Sequence, residues 1–386
     1  MSRPLRLLTI GHSYVVAMNR RLPEAMAEAG AGEWEVTVAA PEFFHADLRP
    51  MALEPSADAR CRVVPIPVTF SRRIHLMRYG RRLRELLREP WDVVHCWAEP
   101  FVLSAGQVAR WAPRDAALVF ATFQNLPKRY PPPFAWVERR AMRRADGWIA
   151  FGRTVEEALR DRPGYRDRPH RVISTGVDVA RFRPDPEARK RIRARLGWDA
   201  DGPPVVGYLG RFVPEKGIET LTRALDAARS PWRALFVGGG AMEGELRAWA
   251  DAHPGRARVE TGVGHGEVPD WLNAMDLLVA PSRTTSRWKE QLGRMLLEAM
   301  ATDVPVIASD SGEIPHVVGD AGVIVPESDQ DAWADAIDRL LSSPAERAAL
   351  SAKGLERARA GFALPTVARR HLDFFAELAG SKQSTL

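Results

Sequence analysis

The sequence predicts an α/β protein made of two doubly wound, Rossmann-like domains. Three observations carry this prediction. Short apolar or β-branched runs alternate with longer amphipathic stretches, the pattern of parallel strands joined by crossover helices. The alternation continues along all 386 residues, enough for two or three domains at about 150 residues each. It is interrupted once, from Gly176-Val177-Asp178 to Pro184-Asp185-Pro186, where turn-forming residues mark a linker.

In chain order, the first half offers strands at Leu5–Ile10, Glu35–Ala40, Arg62–Ile66, Asp92–His95, Ala117–Thr122, Gly147–Phe151 and Arg171–Ser174. Each is a near-continuous apolar run, as expected of strands covered on both faces. A helix at Glu187–Leu196 opens the second half. Strands follow at Val205–Leu209, Arg233–Val237, Ala257–Thr261, Asp276–Ala280, Val304–Ala308 and Gly322–Val325. After a break at Gly361, apolar spacing predicts one more helix over Leu364–Leu378, and Ser381–Leu386 reads as a frayed tail. The domains are therefore expected at 1–178 and 179–362, with 363–386 packing back toward the first domain.

Composition narrows the functional classes. An apolar content of 45% excludes a mainly disordered chain. Two cysteines, Cys61 and Cys96, cannot build a disulfide framework or a Cys₄ zinc site. Met1–Ile10 is too short and too soon polar for a signal peptide, and no apolar run is long enough to span a bilayer, so a cytoplasmic protein is expected. The net charge is +6, and only six of the 55 cationic residues are Lys. Such Arg-rich chains favour anionic partners, but a genome's base composition gives the same bias.

Open α/β sheets bind ligands at the carboxyl ends of their strands. Two turns in the second half stand out there. In the first, Gly207 to Gly217, Gly210 ends a strand, and Arg211 and Lys216 flank a helix start. Free backbone N–H groups and two cations would converge there on a diphosphate, although spacing alone fits two solvated surface cations better. In the second, Pro281 to Met300, an apolar helical face places Glu298 on a helix and Glu290 near its start. Eight helical residues separate two carboxylates by about 12 Å along the axis, too far for the roughly 5–9.5 Å of a glycosidase pair. That span suits the two ends of an extended ligand, with a sugar at one end and a ribose at the other.

The run Glu290-Gln-Leu-Gly-Arg-Met-Leu-Leu-Glu298 resembles the E-x7-E signature of retaining glycosyltransferase family 4, which has the GT-B fold of two Rossmann-like domains facing across a cleft. Gly210-Arg211 with Lys216-Gly217, Gly238-Gly-Gly240, Ser311-Gly-Glu-Ile-Pro315 and Gly176-Val-Asp178 fall in that family's order. The resemblance covers essentially the whole second half. It implies transfer of a sugar from a nucleotide donor to a hydroxyl acceptor, with Glu290, Arg211 and Lys216 as the catalytic set. Arg211 and Lys216 would neutralise the departing diphosphate, and Glu290 would hold donor-sugar hydroxyls beside the backbone of Gln291, Leu292 and Gly293. Glu298 would accept from the ribose, and Gly210, Gly238, Gly11 and His12 would line the donor site. It implies no cofactor and no metal, cations and a helix dipole taking a metal's electrostatic role. The D-x-D pairs Asp199/Asp201 and Asp329/Asp331 read as loop or helix-start residues.

The first half departs from the family pattern. Gly11-His12-Ser13-Tyr14 has a single Gly where relatives carry a Gly-rich loop. Thr122-Phe123-Gln124-Asn125 has Gln where many place a His, which leaves positioning but no charge. Acceptor-side candidates are Gln124, Asn125, His95 and Glu99; a lone His at such a strand end is more often a hydrogen-bonded packing residue, and a carboxylate at 99 is the better candidate, able to orient or deprotonate an acceptor hydroxyl. Lys128-Arg-Tyr-Pro-Pro-Pro-Phe134 would shape the acceptor pocket or cap the domain. Segment 71–89 is basic and amphipathic, reading either as contact with an anionic membrane at the inner face or as an ordinary helix with a solvated face; Glu85 and Glu89 favour the second. Alternatives are a GT-B sugar-nucleotide epimerase, or a basic membrane- or RNA-binding module. No aromatic-basic interleaving supports nucleic-acid binding, and a NAD enzyme lacks its G-x-G-x-x-G turn. Oligomeric state leaves no trace in the sequence.

Overall fold

The structure, a computed structural model, describes residues 3–45, 50–55, 60–199 and 202–384. Two compact units make up the chain: Met1–Thr175 with Leu364–Leu386, and Gly176–Ala363.

In the first unit, strands β1 (Leu5–Ile10), β2 (Trp34–Pro41), β3 (Arg62–Ile66), β4 (Val93–Cys96), β5 (Ala117–Thr122), β6 (Gly147–Ala150) and β7 (His170–Val172) form one parallel sheet. Its order is β7-β6-β5-β4-β1-β2-β3, with Leu7 opposite Val36 on one side and Val93 on the other. Alternate residues feed two cores. Leu118 and Phe120 join the side covered by helices Leu103–Trp111 and Phe134–Arg144. Ala117 and Val119 join the side covered by helices Arg21–Ala29 and Leu364–Gln383.

The second unit repeats the plan. Strands β8 (Val205–Arg211), β9 (Arg233–Gly239), β10 (Ala257–Glu260), β11 (Leu277–Ala280), β12 (Val306–Ser309) and β13 (Val323–Val325) order as β10-β9-β8-β11-β12-β13. In both units the order reverses beside the first strand, the switch point at which such sheets bind ligands. An Asp anchors each reversal from below. Asp92 precedes β4 and accepts from the β1 backbone N–H of Arg6 at 2.8 Å. Asp276 precedes β11 and accepts from Val205 N–H at 2.6 Å, while Arg193 and Arg189 pair with the same carboxylate. Those cations hold Asp276 below its ordinary pKa against the upward push of burial.

All thirteen sheet strands anticipated from the sequence are present, within two residues at each end. The helix after the linker runs Pro186–Arg195, capped by Asp185, whose carboxylate accepts from Glu187 and Ala188 N–H. Asp329 likewise caps helix Gln330–Ser342; Asp201 of the other D-x-D pair lies outside the described residues. Two expectations are corrected. The helix from Leu364 continues to Gln383, so Ser381 to Gln383 is helical rather than frayed. Segment 71–89 is not one amphipathic helix. It divides into a 3₁₀ turn Ile74–Leu76, a strand Arg78–Tyr79 paired antiparallel with Val68–Thr69, and a short helix Arg81–Leu86. Backbone pairing to Val68–Thr69 breaks the helical period, and with it the interface-helix reading. Among the described residues no helix is long and apolar enough to cross a membrane.

Candidate active site

In the second unit, the carboxyl ends of β8, β9, β11 and β12 carry the anticipated donor-side residues. Gly210 and Gly238 are directly opposite each other in the β8–β9 register. Beyond Arg211 a 3₁₀ turn, Pro214–Lys216, delivers Lys216 to the start of helix Ile218–Ala227. Gly217 makes this possible: its φ is +70°, and a Cβ there would collide with the carbonyl of Pro281.

Glu290 is the centre of the arrangement and is only 7% exposed. Its Oε2 lies 2.5 Å from Lys216 Nζ and accepts from Ser282 Oγ at 3.1 Å. Its Oε1 accepts from the N–H of Gln291 at 3.2 Å. The Lys216 ammonium also sits 4.9 Å from the ring centre of Trp288, so it is held by a carboxylate and an aromatic face together. The Glu290 main chain is fixed in turn. Its carbonyl accepts from Glu313 N–H at 3.0 Å, and Gly312, at φ +59°, leaves room for that approach where a Cβ would strike it.

The helix after this loop spans Arg294–Ala301, with Gly293 at φ +73° as its N-cap. Glu298 is therefore on the helix as expected, but Glu290 lies four residues ahead of it. The straight-helix separation of about 12 Å does not apply, because the left-handed Gly293 turns the chain first. Leu292 is buried and Gln291 exposed. Burial raises the Glu298 carboxyl to about 7, against the opposing pull of Arg294, 3.4 Å away, and of Arg181. Arg211 differs from all of these: its side chain is 61% exposed and 3.7 Å from Glu215, a solvent-facing cation.

In the first unit the candidates occupy the carboxyl ends of β1, β4 and β5. Gly11 and His12 follow β1, and burial lowers the His12 imidazole to about 4, so it is neutral at physiological pH. Glu99 accepts from Thr122 Oγ1 at 2.8 Å and from Phe123 N–H at 2.7 Å. Burial outweighs both bonds and raises it to about 7, in the range where a carboxyl can both take and give a proton. Gln124 is committed to its own loop, its Nε2 donating to the Leu126 carbonyl and its Oε1 accepting from Tyr130 OH at 3.1 Å. Asn125 is buried.

His95 does not open toward ligand. It is fully buried, its Nδ1 3.0 Å from Thr9 Oγ1, and its ring is packed on Trp97, His371 and Phe375. The C-terminal helix covers it, which removes it from the acceptor-side set. Sequence reasoning missed Ser282 and Trp288. Ser282 was findable, being two residues past a strand's carboxyl end; nothing local marked Trp288. No cluster of three or more His, Cys, Asp or Glu among the described residues could hold a metal ion.

The profile of glycosyl transferases group 1 matches residues 188–357, and that of glycosyltransferase family 4 matches residues 16–181. The chain is 35% identical over 246 residues to the lipopolysaccharide core biosynthesis mannosyltransferase LpsB of Rhizobium meliloti, an alignment covering 59% of this chain and 68% of that protein. It is 40% identical over 191 residues to a GDP-mannose-dependent phosphatidylinositol monomannoside mannosyltransferase of Mycolicibacterium smegmatis, covering 47% of this chain and 50% of that protein. Of solved structures, sucrose-phosphate synthase from Thermosynechococcus elongatus superposes with a TM-score of 0.74 at 23% identity, covering 98% of this chain and 100% of that one. Anabaena HepE, solved in complex with UDP, gives 0.71 at 18% identity, covering 97% and 100%. At these identities the structural likeness is one of fold, and that fold is GT-B.

Proposed function

The chain belongs to glycosyltransferase family 4, and from that premise we propose that it transfers a sugar, with retention at the anomeric carbon, from a nucleotide-diphosphate-sugar donor to a hydroxyl acceptor. The observation that carries this reading is the Lys216–Glu290 pair, 2.5 Å apart at the carboxyl end of the second sheet and one turn ahead of the helix that bears Glu298. A diphosphate needs a cation and free helix N–H groups, and a sugar and a ribose need carboxylate acceptors. These residues supply each of them.

As the C1–O bond to the diphosphate breaks, charge gathers on the departing phosphate oxygens, where Lys216 and Arg211 neutralise it. A phosphate oxygen then takes the proton of the acceptor hydroxyl, whose oxygen bonds C1 on the same face. Glu290, drawn off Lys216 by the arriving phosphate, accepts from donor-sugar hydroxyls, and Glu298 accepts from the ribose. These cations make a metal unnecessary in this scheme. Glu99 is the first-unit group best suited to orient an acceptor hydroxyl.

The relatives named above are transferases, and the epimerase and the polyanion-module readings are set aside. Mannose, from GDP-mannose, is the donor to try first, after the names of those relatives. A saccharide or glycolipid acceptor follows from the same names. The test is thermal shift in EDTA with UDP, GDP, ADP, CDP and TDP, for wild type and Glu298→Ala. One diphosphate, GDP first, is expected to stabilise wild type alone. Equal response of the variant would remove Glu298 from the ribose, and stabilisation only when Mg²⁺ replaces EDTA would overturn the metal-free scheme.

A further inference from the structure

A cavity of about 400 Å³ opens in the first unit at the amino end of its sheet. Helices Leu103–Trp111 and Phe134–Arg144 end at it, and Asp146, one residue ahead of β6, forms part of its wall. The strand carboxyl ends, where the acceptor-side candidates Glu99 and Gln124 lie, are at the opposite edge of the same sheet. Arg110, Arg114, Arg140, Arg143, Arg144 and Arg168, with Lys382, line the cavity.

Three of these seven cations serve the fold. Arg144 pairs with Asp146 at 3.0 Å and donates to the carbonyls of Pro113 and Ala116. Lys382 Nζ is 2.7 Å from the other Asp146 oxygen. Arg168 donates to the Arg143 carbonyl at 3.0 Å. Cations at helix C-termini commonly do this. The remaining four are not explained that way. Arg143 has a 3.3 Å bond to a carbonyl of its own helix, and among the described residues no carboxylate is within ion-pair distance of Arg110, Arg114, Arg140 or Arg143. The single lining carboxylate is already shared by two cations.

Charges of one sign gathered in a concavity repel one another, and a bound anion relieves that repulsion. Guanidinium forks match phosphate oxygens in pairs, and the cavity's volume is that of a small-ligand pocket. We propose that this cavity binds an anion carrying two or more phosphate groups, either free or as the headgroup of an anionic lipid. The site does not depend on the transferase reading, which rests on other residues.

Calorimetric titration of the full chain with inorganic pyrophosphate at physiological salt tests it. Wild type is compared with Arg110→Gln/Arg140→Gln/Arg143→Gln and with a charge-matched control, Arg82→Gln/Arg84→Gln/Arg88→Gln. All six side chains are exposed, so near-ultraviolet circular dichroism is expected to be native in both variants. The donor site contributes equally to all three proteins. Wild type and control are expected to bind one equivalent more than the cavity variant, or to bind that equivalent at least tenfold tighter. A parallel flotation assay uses phosphatidylcholine vesicles with and without cardiolipin. Cardiolipin-dependent recruitment of wild type and control, but not of the cavity variant, assigns a lipid headgroup. Pyrophosphate binding without recruitment assigns a free ligand. If the cavity variant matches wild type in both assays, or the control loses as much as it does, the binding is diffuse surface charge and the proposal fails.

Discussion

Lys216 and Glu290 hold opposite charges in a nearly dry place, with side chains 11% and 9% exposed. Removing one partner of such a pair strands the other, a loss of about 3 kcal/mol or more, whereas replacing both is close to neutral. Lys216→Ala is therefore expected to lower stability by about 3 kcal/mol in a denaturant titration, and Lys216→Met/Glu290→Gln to recover most of that. Turnover should follow a different rule. If Lys216 carries leaving-group charge, the single variant loses about 100-fold or more, and the double variant regains stability without regaining rate. Glu298 makes a prediction in pH. Its carboxyl titrates near 7 when folded, against an ordinary 4.5. Between those values the folded state holds a proton that the unfolded chain has released, so this group's contribution to stability grows as pH falls from 7 to 4.5. Binding runs the other way, since ribose hydroxyls need the ionised carboxylate as acceptor. Nucleoside diphosphate affinity should weaken as pH drops through neutrality, and Glu298→Gln should flatten the profile; an unchanged slope in the variant would place the titrating group elsewhere.

At the scale of elements, helix Leu364–Gln383 is the part on which the first unit most depends. Val367, Leu372, Phe374, Phe375 and Leu378 are buried in one core with strands β1, β4 and β5. Phe375→Ala is expected to cost about 3–5 kcal/mol in the unfolding of that unit. The helix also carries an acid-sensitive contact. Burial lowers His371 to about 4 from 6.5, and the facing His95 well below its usual value. Between pH 6.5 and 4 the unfolded chain takes up protons that the folded one refuses, so stability drains as pH falls across that window, and His371→Leu should lessen the loss in acid melts. The elements misjudged from sequence share a cause. The apolar period of Leu292, Met295 and Leu296 runs through Gly293, so the pattern sets the helix start near Glu290, whereas the left-handed glycine delays it to Arg294. His95 ends a strand, where ligand groups belong, yet a helix 269 residues further on covers it. Local spacing does not report either a backbone reversal or a distant lid.

For the whole molecule, strand positions and their division into two sheets were legible because buried parallel strands are apolar along their length. The two donor-side turns were legible because strand carboxyl ends are where such sheets work. The basic cavity was not, since its cations come from four separate stretches of sequence that only the fold assembles. The second unit is one continuous stretch, Gly176–Ala363, whereas the first is made of two. Residues 176–363 expressed alone should give a cooperative melt and retain nucleoside diphosphate binding without transferring sugar; residues 1–175 alone should give no cooperative melt. That interruption also has a consequence during synthesis. On the ribosome, the sheet of the first unit is made early, but the helix that seals one of its faces is translated after the whole of the second unit. At 5–20 residues per second the wait is about 10–40 s. Throughout it, the part of that face formed by strand β5, Ala117 and Val119 among it, waits for its cover on the nascent chain. The half of the protein that is made first is thus the last to close, and chaperones have their longest opportunity there.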